Sequence, residues 1–233
     1  MHKPNLVVFT GAGTSEESGI KTFRDAGGLW ENHGLMEVAS ITGWVKNPSL
    51  VLEFYNQRRR QLHEVRPNKA HYFLAHAEDC YRIFIITQNV DNLHEEAGST
   101  KVVHLHGELF KARSTGPDQS IIPWINDIIL GDTDDHGYQL RPHIVWFGEE
   151  VPMFETAINI TLKAEAFLVI GTSLAVYPAA SLLDYVPSTV PIWYVDPSPS
   201  KPNRSNLNII KAKASSGVEQ ALNEIAQFFT KRY

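Results

Sequence analysis

The stretch NLVVFTGAG, residues 5–13, gives the first indication of the fold class. A continuous apolar run predicts a buried strand, and Gly11 and Gly13, which follow it, permit a tight turn. A strand that ends in such a turn is typical of α/β domains in which backbone N–H groups approach a pyrophosphate. The full dinucleotide fingerprint requires a third glycine at position 16, where this chain has Glu16, so the turn alone also permits a packing role.

Five further apolar runs end in polar residues or glycine. They cover residues 82–90, 101–109, 141–149, 166–174 and 190–198. Helices are predicted between and around them, at 47–65, 68–80, 152–164 and 217–231. Continuous Val, Ile, Leu and Phe runs that alternate with helices predict a parallel sheet covered on both faces, and hence an α/β fold of the Rossmann-type, doubly wound class.

Two stretches interrupt this repeat. Residues 33–80 are predicted to be mostly helical, and residues 111–140 mix turn signals with apolar islands. We expect them to meet as a smaller, discontinuous module. Residues 1–32, 81–110 and 141–233 then form the Rossmann-type domain, with a polar loop at 196–208.

Composition excludes several classes of protein. The 233 residues carry a net charge of −5, which gives no general attraction to nucleic acid or to an anionic membrane. Cys80 is the single cysteine, so an internal disulfide framework and a four-cysteine zinc site are excluded. No apolar run approaches a membrane span, and no signal peptide is recognised. A cytoplasmic monomer is expected.

The segment EFYNQRRRQL, residues 53–62, places an arginine among residues that should face inward. On a helix, Val51, Phe54, Tyr55, Arg58 and Leu62 share one face, whereas Arg59 and Arg60 turn away from it. One interpretation is that Arg58 lays its stem on apolar neighbours and keeps its charged end in water. The other is that Arg58 meets a charged ligand.

Polar residues follow two of the other strands. Gln88, Asn89 and Asp91 stand at the carboxyl end of a strand, where ligands of open α/β sheets bind, although Asn89 and Asp91 could instead cap the next helix. In HLHG, His104 and His106 lie on one strand face if the strand is regular. A metal pair is possible there, but no third ligand is evident, and a single catalytic histidine is the sharper hypothesis.

Five stretches in the same order resemble the sirtuin family of NAD-dependent protein-lysine deacylases. They are GAGTSEESGIKTFR, TQNVDNLH, HLHG, RPHIVWFGE and GTSLAVYPA. The resemblance implies NAD as cofactor and a Rossmann-type domain with a small domain made from two insertions. It also implies acyl-lysine proteins or peptides as partners.

The resemblance also implies roles for individual residues. The general base would be His106, with Asn89 and Asp91 beside it. Cofactor-binding residues would be Gly11, Ala12, Gly13, Ser15, Glu17, Phe23, Arg24, Gln88, Asn89, Asp91, Gly171, Thr172 and Ser173. The segment that pairs with the substrate backbone would contain Val145, Phe147, Gly148 and Glu149. In the implied reaction the acyl oxygen attacks the ribose of NAD, nicotinamide leaves, and His106 deprotonates a ribose hydroxyl.

Three positions depart from the family pattern. Glu16 replaces a small residue, and Asp196 stands where asparagine is common. Ser114 and Pro117 occupy the place of the first of two cysteine pairs that hold a structural zinc in many sirtuins. We therefore expect no zinc, and a small core in its place, formed by Ile121, Ile122, Trp124, Ile125, Ile128 and Ile129.

Tyr55 and Arg58 resemble the Tyr-x-x-Arg signature of the sirtuins that remove succinyl and malonyl groups. Ala26 resembles the small residue that widens their acyl pocket. A buried carboxylate at the tip of the acyl group needs a charged partner, which Arg58 would supply. An ADP-ribosyltransferase or NAD glycohydrolase, and a non-catalytic NAD or ADP-ribose binding module, are the alternatives; a dehydrogenase fits least.

Overall fold

The computed structural model describes residues 3–20, 34–200 and 202–232. The strands are β1 (Asn5–Thr10), β2 (Arg82–Thr87), β3 (Val102–His104), β4 (Gly107–Ser114), β5 (Ile121–Pro123), β6 (Leu140–Ile144), β7 (Ala166–Ile170), β8 (Ile192–Val195) and β9 (Leu207–Ile210). The α-helices are α1 (Leu35–Val38), α2 (Ile41–Lys46), α3 (Pro48–Glu64), α4 (Lys69–Ala77), α5 (Leu93–Glu96), α6 (Phe154–Thr161) and α7 (Ala214–Arg232). Short 3₁₀ helices cover Ala12–Thr14, Glu16–Ser18 and Ala179–Tyr185. None of the helices described is long and apolar enough to cross a membrane.

Six parallel strands form the main sheet, in the order β3-β2-β1-β7-β8-β9. The chain leads from β1 to β2 and β3 in one direction, and from β7 to β8 and β9 in the other. The order therefore reverses between β1 and β7, which is the point where open α/β sheets bind ligands. The turn of NLVVFTGAG lies there, and the predicted Rossmann-type fold is confirmed.

Both faces of this sheet are buried, because successive residues of a strand point to opposite sides. Leu6 and Val8 of β1 pack on one side with α4 and α7. Val7 and Phe9 pack on the other side with α6 and the 3₁₀ helix Ala179–Tyr185. These two layers hold the end of β1 rigidly at the centre of the molecule.

Two of the predicted parallel strands are placed differently. The run at 141–149 contributes β6, which pairs antiparallel with β4 in a second sheet of order β5-β4-β6. The run at 101–109 is divided between the two sheets, because β3 ends at His104 and β4 begins at Gly107. Gly107 has a φ of +83°, and a Cβ there would collide with the carbonyl oxygen of His143. The last two residues of the polar loop predicted at 196–208 belong instead to β9, which is the edge strand of the main sheet.

The predicted domain boundaries do not follow this packing throughout. Between residues 34 and 80 the regular elements are the helices α1 to α4, as predicted. However, α4 packs on the main sheet with α7. The boundary at 110 falls inside β4, and β6 crosses the boundary at 140. The division into two domains therefore remains a proposal.

The small sheet has its own core where α3 meets it. Its buried members are Leu52, Ala112, Ile128 and Leu140, with Trp44, Ile122 and Trp124 partly buried against them. The predicted core was wrong for Ile121, Ile125 and Ile129, which are 51%, 56% and 60% exposed. Apolar spacing in an irregular segment did not reveal which side of the chain is covered.

Helix α3 begins as predicted, with Pro48 at its first turn. The side chain of Asn47 caps it by accepting a hydrogen bond from the N–H of Leu50 at 3.1 Å. The predicted inward residues Val51, Phe54, Tyr55 and Leu62 are buried. Arg58, at the edge of this face, is half-buried.

Arg59, predicted to turn away from the inward stripe, is nevertheless fully buried, on another side of the helix. Its Nε donates to the carbonyl oxygen of Leu109 at 2.9 Å, and its Nη1 donates to Oδ1 of Asn56 at 2.7 Å. Asn56 in turn bonds both the N–H and the carbonyl of Ile128 at 2.9 Å. The small sheet covers a second side of α3, which a single inward stripe does not anticipate.

Replacing Arg59 with methionine tests this anchor between α3 and the small sheet. Arg59→Met keeps most of the stem but leaves buried acceptors on Leu109 and Asn56 without their donor. We expect the free energy of unfolding to fall by about 1–3 kcal/mol, measured by urea denaturation. Arg60→Met is the matched control, since Arg60 is exposed, and it should cost less; equal losses would contradict the anchor.

Candidate functional site

The turn after β1 packs directly against the turn after β7. A Cβ on Gly11 would lie 2.7 Å from Cβ of Thr172, and one on Gly13 would lie 2.8 Å from Cα of Gly171. Gly171 has a φ of +58°, and a Cβ there would collide with the backbone of Thr14. The N–H of Gly13 also donates to the carbonyl of Gly171 at 2.9 Å. The packing role of these glycines is therefore present, and it brings two predicted cofactor-binding segments together.

A buried network joins this turn to the loop after β2. Oγ of Ser15 donates to Oδ2 of Asp91 at 3.0 Å and accepts from Nδ2 of Asn89 at 3.1 Å. Oδ1 of Asp91 accepts the N–H of Leu93 at 3.2 Å, at the start of α5. Burial raises the pKa of Asp91, although these hydrogen bonds offset part of the effect. Asp91 therefore accepts the N–H of the first residue of α5, although Asn92 is the N-cap of that helix, whereas the side chain of Asn89 is turned toward Ser15.

A second link closes the ring of loops around the switch point. Nε2 of Gln88 donates to Oγ1 of Thr172 at 2.9 Å. The Tyr194 hydroxyl, on β8, donates to the carbonyl of Thr172 at 2.7 Å. Ser173, next to Thr172, is exposed. Three of the predicted cofactor-binding segments therefore meet at one edge of the sheet.

The ring of His106 is oriented by the same loop. Its Nδ1 lies 3.0 Å from the carbonyl oxygen of Gln88. A carbonyl only accepts, so Nδ1 carries the hydrogen and, in the neutral ring, Nε2 keeps a lone pair. Burial lowers the pKa of His106. The arrangement therefore gives a neutral histidine that can accept a proton near pH 7.

The segment after β6 continues from this histidine. The N–H of Val145 donates to the carbonyl of His106, and the N–H of Phe147 donates to that of Ala39, both at 2.9 Å. Gly148 has a φ of +91°. Phe147 is 43% exposed, so the outer side of this segment is accessible.

The carboxylate of Glu149 is occupied within the protein. It pairs with Arg141 at 2.7 Å and with Arg113 at 3.1 Å, and it accepts the N–H of Trp146 at 2.7 Å. Burial raises its pKa, but Arg141 outweighs burial and the pKa is lowered overall. The ion pair gives Glu149 a structural role, and its predicted place in the substrate segment stays a prediction.

Tyr55 and Arg58 lie together on α3. The Tyr55 hydroxyl accepts a hydrogen bond from Nε1 of Trp146 at 3.1 Å. Nη1 of Arg58 donates to the carbonyl of Phe54 at 2.5 Å, and its guanidinium carbon lies 3.2 Å from the centre of the Phe54 ring. Burial lowers the pKa of Arg58 to about 10, so the side chain stays charged at neutral pH.

The remaining predicted residues that follow the turn after β1 are either exposed or lie outside the described residues. Glu17 is exposed, and its Oε2 accepts the N–H of Ser215 in the first turn of α7 at 2.8 Å. Glu16, which departs from the family pattern, is exposed as well. The predictions for Phe23, Arg24 and Ala26 lie outside the described residues.

Hydrogen bonds hold the loop where many sirtuins carry zinc cysteines. Oγ of Ser114 donates to Oδ2 of Asp134 at 2.5 Å and accepts the N–H of Gly116 at 2.8 Å. Oδ1 of Asp134 accepts the N–H groups of His136 and Tyr138, both at 2.9 Å. A serine and an aspartate therefore tie together two parts of the segment.

Comparison with known proteins assigns the family. The model of the Sir2 family matches residues 11–178, which is more than half of the chain. The chain belongs to the Sir2 family. This membership confirms the resemblance to the sirtuins that the sequence motifs indicated.

Two relatives of this Sir2 protein carry the name NAD-dependent protein deacylase. The one from Helicobacter pylori is 58% identical over 193 residues, which are 83% of this chain and 82% of the relative. The one from Bacteroides thetaiotaomicron is 50% identical over 223 residues, which are 93% of this chain and 95% of the relative.

Solved Sir2 structures match nearly the whole fold. An ADP-ribose complex of a Sir2 homologue mutant has a TM-score of 0.87 at 34% identity and covers 97% of this chain and 93% of its own. An NAD complex of a Sir2 homologue has a TM-score of 0.85 at 34% identity and covers 96% and 90%. At 34% identity, these two structures agree with the assignment to the Sir2 family as well as with the fold.

Sequence reasoning missed a buried polar chain beneath the loop after β2. Oγ1 of Thr87 accepts the N–H of Asn89 at 3.0 Å and a hydrogen bond from Thr10 at 2.8 Å. Nε2 of His94 lies 3.2 Å from the same Thr10 hydroxyl. Thr10 and Thr87 are partners in the register of β1 and β2. In the sequence, only a threonine at the end of each of the two strands indicated this chain. Two such threonines predict a contact only once the register of β1 and β2 is known.

The Sir2 protein is expected to fold without zinc. In the described part of the chain no three histidine, cysteine or acidic side chains form a group that could hold a metal. Elemental analysis should find no stoichiometric zinc, and a chelator should leave the melting temperature unchanged, because hydrogen bonds of Ser114 and Asp134 hold the loop. A tightly held zinc, released with a loss of stability, would contradict this prediction.

Proposed function

We propose that this Sir2-family enzyme is an NAD-dependent protein-lysine deacylase that prefers succinyl-lysine and malonyl-lysine to acetyl-lysine. The observation that carries the preference is a charged Arg58 placed one helical turn from the buried hydroxyl of Tyr55 on α3. The names of the relatives from Helicobacter pylori and Bacteroides thetaiotaomicron support the coarser activity.

The site fits NAD at the switch point of the main sheet. The faces of Gly11 and Gly13 that lack a Cβ pack against the turn after β7, and this contact places the turn after β1 at the switch point, where open α/β sheets bind ligands. Cofactor binding is assigned to this turn together with Ser15, Gln88, Asn89, Asp91, Thr172 and Ser173. When bound, NAD supplies the ADP-ribosyl group that receives the acyl group.

His106 acts as the general base in this proposal. Its Nδ1–H is engaged by the Gln88 carbonyl, so Nε2 takes the proton. Because burial lowers its pKa, the ring is neutral at pH 7 and stays neutral as the pH falls through 6.5. Asn89 and Asp91, held by Ser15, keep the adjoining loop in a fixed position.

Tyr55 is suited to donate to a carboxylate. Burial raises its pKa, so the hydroxyl keeps its hydrogen at any physiological pH. Trp146 already donates to the oxygen at 3.1 Å, so the Tyr55 hydrogen must be directed to a different acceptor. The terminal carboxylate of a succinyl or malonyl group would be such an acceptor.

Arg58 supplies the charge that this carboxylate needs. Burying an anion without a partner is costly, whereas a guanidinium can meet it with two parallel hydrogen bonds. The bond from Arg58 to the Phe54 carbonyl is compatible with this, because a guanidinium carries five N–H donors. An acetyl group has no carboxylate and makes no use of this pair.

The substrate peptide is proposed to lie along the segment after β6. Phe147 exposes its side chain, and Val145 and Gly148 are assigned to pair with the peptide backbone. The ion pair between Glu149 and Arg141 anchors this segment to β6. Protein or peptide substrates are therefore favoured over free acyl-lysine.

Removal of His106 tests the assigned base. His106→Ala should lower deacylation by about 10²–10⁴-fold, because proton transfer is lost, while exchange of nicotinamide survives better. Mass spectrometry of an acyl-lysine peptide with NAD measures both products. His76→Ala, on the exposed side of α4, is the control, and turnover by His106→Ala close to that of the wild type would remove His106 from the mechanism. The pH dependence of the wild type tests the same base. Because burial lowers the pKa of His106, kcat should begin to fall only below pH 6.5 as the solution is acidified.

Removal of the Arg58 charge tests the acyl preference. Arg58→Met keeps most of the stem and should cost desuccinylation about 2–5 kcal/mol in kcat/KM, with little change in deacetylation. Arg60→Met, two residues along the same helix, should leave the ratio of the two activities unchanged. A parallel fall of both activities would make Arg58 structural, and a wild type that prefers acetyl-lysine would refute the preference itself.

A further inference from the structure

His104 and His106 hold the carbonyl groups of two consecutive residues. Nδ1 of His104 lies 3.0 Å from the carbonyl oxygen of Asn89, and Nδ1 of His106 lies 3.0 Å from that of Gln88. Neither carbonyl can donate, so both Nδ1 atoms carry hydrogens. The loop after β2 is therefore attached to the chain after β3 at two successive peptide groups.

The far side of the His104 ring is also engaged. Its Nε2 lies 2.8 Å from Oε1 of Glu95 on α5, and only 6% of the side chain is exposed. A carboxylate accepts, so Nε2 carries a hydrogen as well and the ring is an imidazolium. Burial alone would lower the pKa of His104, but Glu95 outweighs it and the pKa is raised. The neighbouring His106, without a carboxylate, has its pKa lowered.

Asn89 is thereby fixed through three of its groups. Its N–H donates to Thr87 at 3.0 Å, its carbonyl accepts from His104, and its amide donates to Ser15 at 3.1 Å. Loss of the carbonyl bond would let this peptide group rotate. Because the preceding peptide carries the Gln88 carbonyl that orients His106, such a rotation would reach the base.

We propose that His104 is a positioning residue of the deacylase, which fixes the Asn89 carbonyl, and that Glu95 orients the His104 ring for this task. The proposal rests on the proposed function and assigns a role beyond it. In this role His104 contacts neither cofactor nor substrate. It acts through the peptide group between Asn89 and Val90, which contains the Asn89 carbonyl.

Two substitutions at position 104 separate the two bonds of the ring. In asparagine, Nδ2 lies close to where Nδ1 of histidine was, so His104→Asn keeps the bond to Asn89 and loses the one to Glu95. In glutamine, Nε2 lies closer to where Nε2 of histidine was, so His104→Gln keeps Glu95 and loses Asn89. Both replacements are polar, uncharged and of similar size.

The two variants are compared in kcat and KM for the acyl peptide that the wild type prefers. We expect His104→Asn to retain kcat within a few-fold, and His104→Gln to lose about 10- to 100-fold, since small displacements of a reacting group cost this much. KM for the peptide should change little in either. Equal kcat values, or the reverse order, would overturn the proposal.

A substitution of Glu95 tests the hydrogen bonds from Glu95 through His104 to Asn89 at their exposed end. Glu95→Ala should lower kcat several-fold in the wild type and have no further effect in His104→Asn, which has already lost that bond. Equal losses in both backgrounds would overturn the proposal even if His104→Gln fails to fold. A wild type without deacylation would instead refute the proposed function.

Discussion

The turn after β1 and the turn after β7 meet backbone to backbone, and this approach is the constraint on which the site depends. Side chains at positions 11, 13 or 171 would separate the two turns by colliding with main-chain atoms. With the turns in contact, Ser15 reaches Asp91, and Gln88 reaches Thr172. The site residues are therefore held by main-chain packing at the centre of the sheet and by hydrogen bonds that radiate from it.

Two histidines two residues apart are held in opposite states by their partners. His106 has a carbonyl on one side, and burial keeps it neutral. His104 has a carbonyl on one side and Glu95 on the other, which favours its charged form. Environments that push the pKa values of two like residues apart allow one to serve as a base and the other as a fixed donor.

The sequence predicted the main sheet because its central strands are buried on both sides and read as continuous apolar runs. It failed where a run can join either of two sheets, as at 101–109 and 141–149, since burial does not name the partner strand. Arg59 shows the same limit on a helix, because a second element covers α3 outside the inward stripe that the spacing predicts. Candidate site residues at strand ends, such as Asn89 and His106, were predicted from position and motif alone, and the structure brings their loops together. Thr10, Thr87 and Trp146 could not, because their partners are set by register and by folding of distant segments.

Helix α3 assigns two neighbouring arginines to separate tasks. Arg59, with Asn56, joins the helix to the small sheet, whereas Arg58 lies at the edge of the other face. A change at position 58 therefore need not loosen the attachment of the helix. In the proposed function Arg58 sets the acyl preference, so a substitution there could change the preferred acyl group while the bonds that attach α3 to the small sheet stay in place. For a protein that acquires new substrates, the proposed change of specificity would then carry little cost in folding stability.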